Sequence, residues 1–308
     1  MNKIFKKRQI FIVLALLIGL LITPHIYGIE LDTVMTGSMV GDATIVSGRG
    51  RILYNYTRVD SMGTKAREND QAFLSKFAPE IEAVIPNNET FEINFVFDGP
   101  KIKFIEKSTN VFPDGKTYPM HWQWAYNGEK LDLLRLDGLK DGIIVPMGSV
   151  RSVNEIPVDK FDPRYNGMSI MGTPVNEFLN GSLGNKAVES LGVVGEETQN
   201  GVMCNKIQGN IENSESTVTV WLAPNRMFRP MKIEIASFDT ITEIQNSFRE
   251  HSGGVWFPEQ IQKKVFYLNA RGEKELYSSE TLEIQDSFEL NVELTNDEFE
   301  IEFPKGME

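Results

Sequence analysis

Cysteine is almost missing from this 308-residue sequence: Cys204 stands alone, so no disulfide can form within the chain and the fold rests on its core. A lone thiol reads as a small buried hydrophobe unless a basic neighbourhood activates it. Histidine is nearly as scarce. His25 lies near the N-terminus, while His121 and His251 are far apart and neither has a partner at metal-ligand spacing. The signatures of P-loops, dinucleotide folds, nucleophile elbows and zinc proteases are absent as well. These gaps set the expectation of a protein that is not an enzyme and uses no cofactor and no metal. Positive charge is in deficit, with 31 basic residues against 43 acidic ones and a net charge of −12. Such a surface repels nucleic acid, which is excluded as a partner. Adjacent carboxylates such as Glu196-Glu197 and Asp297-Glu298 read as solvated pairs, because a glycosidase needs two carboxylates facing each other across a substrate. No repeat of fixed period is present, which speaks against a propeller.

A long apolar run is also lacking. The longest, Ile10 to Ile22, has 13 residues, short of the roughly 20 that a helix needs to cross a bilayer. It follows Lys3, Lys6, Lys7 and Arg8 and precedes Pro24, the layout of an export signal. Residues 1–28 are therefore read as a signal peptide, with an uncleaved signal anchor as the alternative, and the protein as periplasmic or secreted. Those residues hold four of the basic residues and no acidic one, so the remainder is more acidic still. Residues 29–46 mix small, polar and apolar residues without a clear period and read as an approach segment. Residues 47–308 read as one domain, a size that can bury a large core.

From there the periodicity is that of strands. Gly50 to Arg58 places Ile52, Tyr54 and Tyr56 on one face. The stretch from Met62 to Ala78 is rich in helix formers, with Ala66, Phe73, Leu74 and Phe77 able to share a face before Pro79. Phe91, Ile93, Phe95 and Phe97 then alternate with Glu92, Asn94 and Val96, and Asp98-Gly99 turns the chain into Lys101 to Glu106. A second hairpin joins Met120 to Tyr126 with Glu129 to Leu136 through Asn127-Gly128. Residues 137–195 interrupt this meander as an insertion of loops and short helices, one with Thr173 as N-cap, Pro174 at its first position and Gly181 as its stop, and one over Asn185 to Leu191. Strands resume around the Asn200-Gly201, Pro224-Asn225, Gly253-Gly254 and Arg271-Gly272 turns, and Phe299 to Phe303 reads as a closing strand. The pattern predicts a mainly β fold: a large curved antiparallel sheet, or open half-barrel, with a few helices covering its concave side.

Two segments carry a family likeness. Val220-Trp221-Leu222-Ala223-Pro224-Asn225, running on through Phe228-Arg229-Pro230-Met231-Lys232-Ile233-Glu234, resembles the strand–turn–strand hairpin of the outer-membrane lipoprotein carrier (LolA-like) superfamily. Phe299 to Gly306 is similar to that group's closing segment, and the order signal peptide, glycine-containing first strand, helix is the same. The resemblance implies a half-barrel that shelters lipid or the acyl chain of a lipoprotein. No residue of this chain matches a cargo-gripping arginine.

An open sheet leaves apolar side chains that a lid or a ligand must cover. By alternation the candidate lining is Phe91, Ile93, Phe95 and Phe97, then Val220 and Leu222, then Met231 and Ile233, with Lys232 and Glu234 turned to solvent. Trp122 and Trp124 join it, since they share a strand face with Tyr126. For this aromatic strip two readings stand: core packing, or a lining for an acyl chain or sugar ring. The expected function is non-catalytic binding or carriage of a hydrophobic ligand, lipid or lipoprotein acyl chain. The alternatives are an envelope sensor or scaffold that binds a protein partner, and a carbohydrate-binding protein.

Overall fold

A computed structural model of the chain describes residues 29–59, 88–111, 117–136, 139–140, 143–144, 147–152, 162–269 and 271–305. The expected signal peptide and the helix over residues 62–78 lie outside them. Helix α1 (Leu31–Ala43) leads into β1 (Ser47–Arg58). Strands β2 (Asn88–Asp98), β3 (Lys101–Val111), β4 (Thr117–Tyr126) and β5 (Lys130–Arg135) follow, then the two-residue strands β6 (Leu139–Lys140) and β7 (Ile143–Ile144), and β8 (Met147–Ser152). A small ribbon of β9 (Ser169–Ile170) and β10 (Thr173–Pro174) precedes the one-turn helix α2 (Val175–Leu179). The second half comprises β11 (Ser182–Leu183), β12 (Lys186–Gln199), β13 (Val202–Ile211), β14 (Thr217–Ala223), β15 (Arg229–Ala236), β16 (Thr240–His251), β17 (Val255–Leu268), β18 (Lys274–Ile284) and β19 (Glu289–Leu290).

Fifteen of these strands form one antiparallel sheet that does not close into a barrel. Its order is β11 through β18 in sequence, then β1 through β5, then β8, with β19 also on β1. The chain thus builds the sheet outward in two wings, and β18 returns to pair with β1 at their junction, Tyr54 opposite Leu282 and Tyr56 opposite Glu280. Hairpins sit where the turn chemistry put them. Asn200 and Gly201, both left-handed at φ 49° and 78°, make the two-residue connection whose twist matches that of the flanking strands.

Alternation divides the sheet into an inner face, which carries both helices, and an outer one. Ile52, Phe95, Phe97, Ile207, Val220 and Ile233 point inward and share one core with Val34 of α1 and Phe178 of α2. Phe97 and Phe288 need space on β1, and glycine provides it: a Cβ at Gly48 would lie 2.9 Å from the Phe97 ring, and one at Gly50 2.8 Å from Phe288.

Three local expectations are corrected. The approach segment of residues 29–46 holds a three-turn helix. Its buried face is Val34, Ser38 and Gly41, small residues that leave little amphipathic signal, while Met39 and Val40 are exposed. Two glycines make it a poor helix by propensity, and packing overrides that: Gly41 lies so close to the loop before β15 that a Cβ would meet the Met227 carbonyl at 2.7 Å. Asn185 to Leu191 is not helical but enters β12, where breaks in register between Glu189 and Gly192 and between Val193 and Gly195, with Ser190 left-handed, scramble the alternation. Phe299 to Phe303 forms no strand. A 3-10 turn (Asn296–Phe299), closed by a Thr295–Glu298 capping box, leads into extended chain whose Ile301 and Phe303 cover Ala125 and Leu134 on the outer face.

Candidate functional site

The loop that carries β9 and β10 is fastened down on the inner face. Asn246, fully buried in β16, donates its amide to the carbonyls of Gly167 and Pro230, both at 2.6 Å. Gly167 is left-handed at φ 69°, and a Cβ there would lie 2.9 Å from Ile261. Beyond this anchor the loop rises, and a groove of about 320 Å³ opens between residues 166–172 and strands β15 to β18. Each strand gives one aliphatic side chain to its wall: Ile235, Ile244, Ile261 and Leu282. At the tip of the β9–β10 turn Met171 and Gly172 are both left-handed, at φ 51° and 84°. Asparagine or glycine is the usual occupant of such a position. Here a methionine, 72% exposed, stands at the groove's rim.

One end of the groove is polar. Lys263 of β17 and Glu280 of β18 face each other across the ladder and pair at 2.7 Å. Tyr54 reaches the same carboxylate, and burial together with that neighbouring negative charge pushes its hydroxyl pKa up. Tyr56 is likewise pushed up by burial, against the pull of Arg58, and Glu89, opposite Tyr56 on β2, is raised by burial alone. Asn166, Ser169 and Thr242 also line the groove, so its wall is mixed, and its volume is at the lower end of the range for small-molecule sites.

The ten residues singled out by alternation all belong to β2, β4, β14 and β15, and the structure does not bring them to this groove. Val220, Leu222, Met231 and Ile233 have at most 1% of their surface exposed. Ile93, Phe95, Phe97 and Trp124 are also buried, and Trp124 stacks on Phe104 at 5.1 Å. Phe91 is half-buried, edge-on to Tyr54 at 4.9 Å. Trp122 alone reaches the surface, 38% exposed, with the Arg135 guanidinium 5.1 Å from its ring centre. The groove residues Ile244, Ile261, Leu282, Lys263 and Glu280 were missed because only the register of three strands assembles them. Alternation marks each as inward but gives no reason to choose them.

A larger hollow of about 470 Å³ lies on the outer face beside β1 to β3. At its wall Arg49 pairs with Glu289 and Glu298 and Arg51 with Glu92, all exposed pairs. Among the described residues no group of three or more His, Cys, Asp or Glu side chains is placed to hold a metal ion. Burial pushes the Cys204 thiol up to about 11, which leaves it un-ionised at neutral pH. His251 packs edge-on against Phe257 and Phe288, and burial, with Arg249 nearby, lowers its pKa. Among the described residues no helix is long and apolar enough to cross a membrane.

No protein-family model and no curated protein matches this chain. Among solved structures it is similar to a DUF1329 family protein from Desulfovibrio piger, with a TM-score of 0.38, 10% identity, and coverage of 88% of this chain and 97% of that one. It is also similar to the Pseudomonas aeruginosa MucA/MucB complex, with a TM-score of 0.27, 10% identity, and coverage of 85% and 99%. Likenesses this distant have no bearing on what the groove holds.

Proposed function

We propose that the protein is an exported, non-catalytic binding module of the cell envelope that shelters one apolar chain, a lipid or the acyl part of a lipoprotein, in the inner-face groove. The observation that carries this reading is the groove itself. Four aliphatic side chains, one from each of four neighbouring strands, line a slot beside the loop at 166–172, and Met171 is held out over it in a left-handed turn. Its volume suits a single chain better than two. Support for the non-catalytic part comes from Cys204, whose buried thiol stays un-ionised at neutral pH.

Met171→Asp tests the reading without touching the core. A charge at an exposed rim leaves the thermal melt unchanged, because nothing buried is disturbed. Affinity for a fluorescent fatty-acyl probe is expected to fall about tenfold, the equivalent of 1.4 kcal/mol. Unaltered probe binding would remove the groove from consideration.

A second reading, recognition of a protein partner, is favoured by the far wing. Among the described residues β8 is the last strand on that side of the sheet, and it exposes Met147 and Val150. An apolar edge of this kind accepts an added strand from another chain.

A further inference from the structure

We infer that the groove selects its ligand by headgroup, and that the Lys263–Glu280 pair at its polar end takes a zwitterionic head, an anion and an ammonium a few ångströms apart, in preference to a free fatty acid. This inference rests on the apolar-chain reading of the same groove. Both side chains line the groove with the four aliphatic residues, so a chain lying on Ile244, Ile261 and Leu282 brings its head to the pair. The pair is tight and only partly wet: 2.7 Å long, with Lys263 36% and Glu280 17% exposed.

Electrostatics then decides between heads. A carboxylate arriving at Lys263 must share one ammonium with Glu280, and two negative charges come together where Glu280 has little water to return to. Tyr54, which donates to Glu280, adds no positive charge. A neutral head such as an alcohol covers both ions without offering either a charge in return. A zwitterion avoids both penalties. Its anion meets Lys263 while its ammonium meets Glu280, so each of the four charges gains an opposite neighbour as water leaves.

The test is a competition on the purified full chain, with a fluorescent acyl probe in the groove and unlabelled sixteen-carbon competitors. Lysophosphatidylethanolamine is expected to displace the probe at a concentration about tenfold below that of palmitate or hexadecanol. In Glu280→Gln, which keeps the side chain's shape and leaves Lys263 without its carboxylate, the order is expected to reverse in favour of palmitate. Equal displacement by the three competitors on the wild-type chain overturns the headgroup inference alone and leaves the groove reading standing. No displacement by any of them overturns both. The wild-type comparison is decisive even if Glu280→Gln folds poorly; if the variant folds and the order is unchanged, the pair does not read the head.

Discussion

Ile233→Asp is expected to abolish the native fold. Ile233 has no exposed surface, and its neighbours across the ladder are Val220 on β14 and Ile244 on β16. A carboxylate there has no cation on the inner face of either neighbouring strand position, and an unpaired buried charge of this kind costs more than about 4 kcal/mol. Ile233→Val, which removes one methylene, costs only about 1 kcal/mol and serves as the control. Phe95→Asp belongs to the same class, because Phe95 is buried between Phe97 and Phe288. Both variants should lose the cooperative thermal transition. A variant that keeps its melt and loses only acyl-probe binding would mean that these side chains line a cavity.

Arg229→Ala is the second substitution with a large expected effect. Arg229 is 2% exposed, and it ties α1 to the sheet. Its guanidinium pairs with Asp42 and donates to the carbonyls of Gly41 at 2.7 Å and Trp256 at 3.1 Å. Truncation leaves a cavity, two carbonyls without their donor and a carboxylate without its cation, a loss of about 3–5 kcal/mol, or roughly 10 °C in Tm. The deficit should depend on pH. Burial already raises the Asp42 pKa, and Arg229 pulls it back. Without Arg229 the folded pKa climbs further above the unfolded value. A carboxyl so placed favours the folded state only while protonated, so stability drops as pH rises through that pKa. The Arg229→Ala deficit is therefore expected to be smaller near about pH 4 than at neutral pH. Since burial also lowers the pKa of Arg229, the pair is costly as a whole, and Arg229→Met combined with Asp42→Leu should recover most of the loss. A deficit that is the same at both pH values would show that Asp42 does not feel Arg229.

The sheet was legible because its signals are local. Phe91, Ile93, Phe95 and Phe97 recur at every second position, and Gly99, Gly128 and Asn200-Gly201 mark turns whose left-handed backbone few other residues adopt. Legibility ended where a structure depends on distant partners. Helix α1 is stabilised by Arg229, 187 positions away from Asp42, and nothing near Asp42 announces it. Phe228-Arg229-Pro230 lay within a hairpin recognised for its apolar residues, and an arginine in a strand is ordinarily at the surface. The lining of the groove was hidden for a related reason. Alternation separates inward from outward residues but cannot tell which inward residues pack under a helix and which lie at the floor of a groove. Here α1 and α2 share the core with Val220 and Ile233, and the loop at 166–172 stands over Ile244, Ile261 and Leu282.

Occupancy of the groove is the central claim, and photolabelling tests it directly. The full chain is incubated with a sixteen-carbon amphiphile bearing a photoreactive group midway along its chain, irradiated, digested and mapped by mass spectrometry. The account predicts label on residues 166–172 and on the inward positions of β15 to β18, Ile235, Ile244, Ile261 and Leu282, with an excess of unlabelled amphiphile suppressing it. Label confined to the outer face or to the β8 edge, or label that the excess does not suppress, would contradict it.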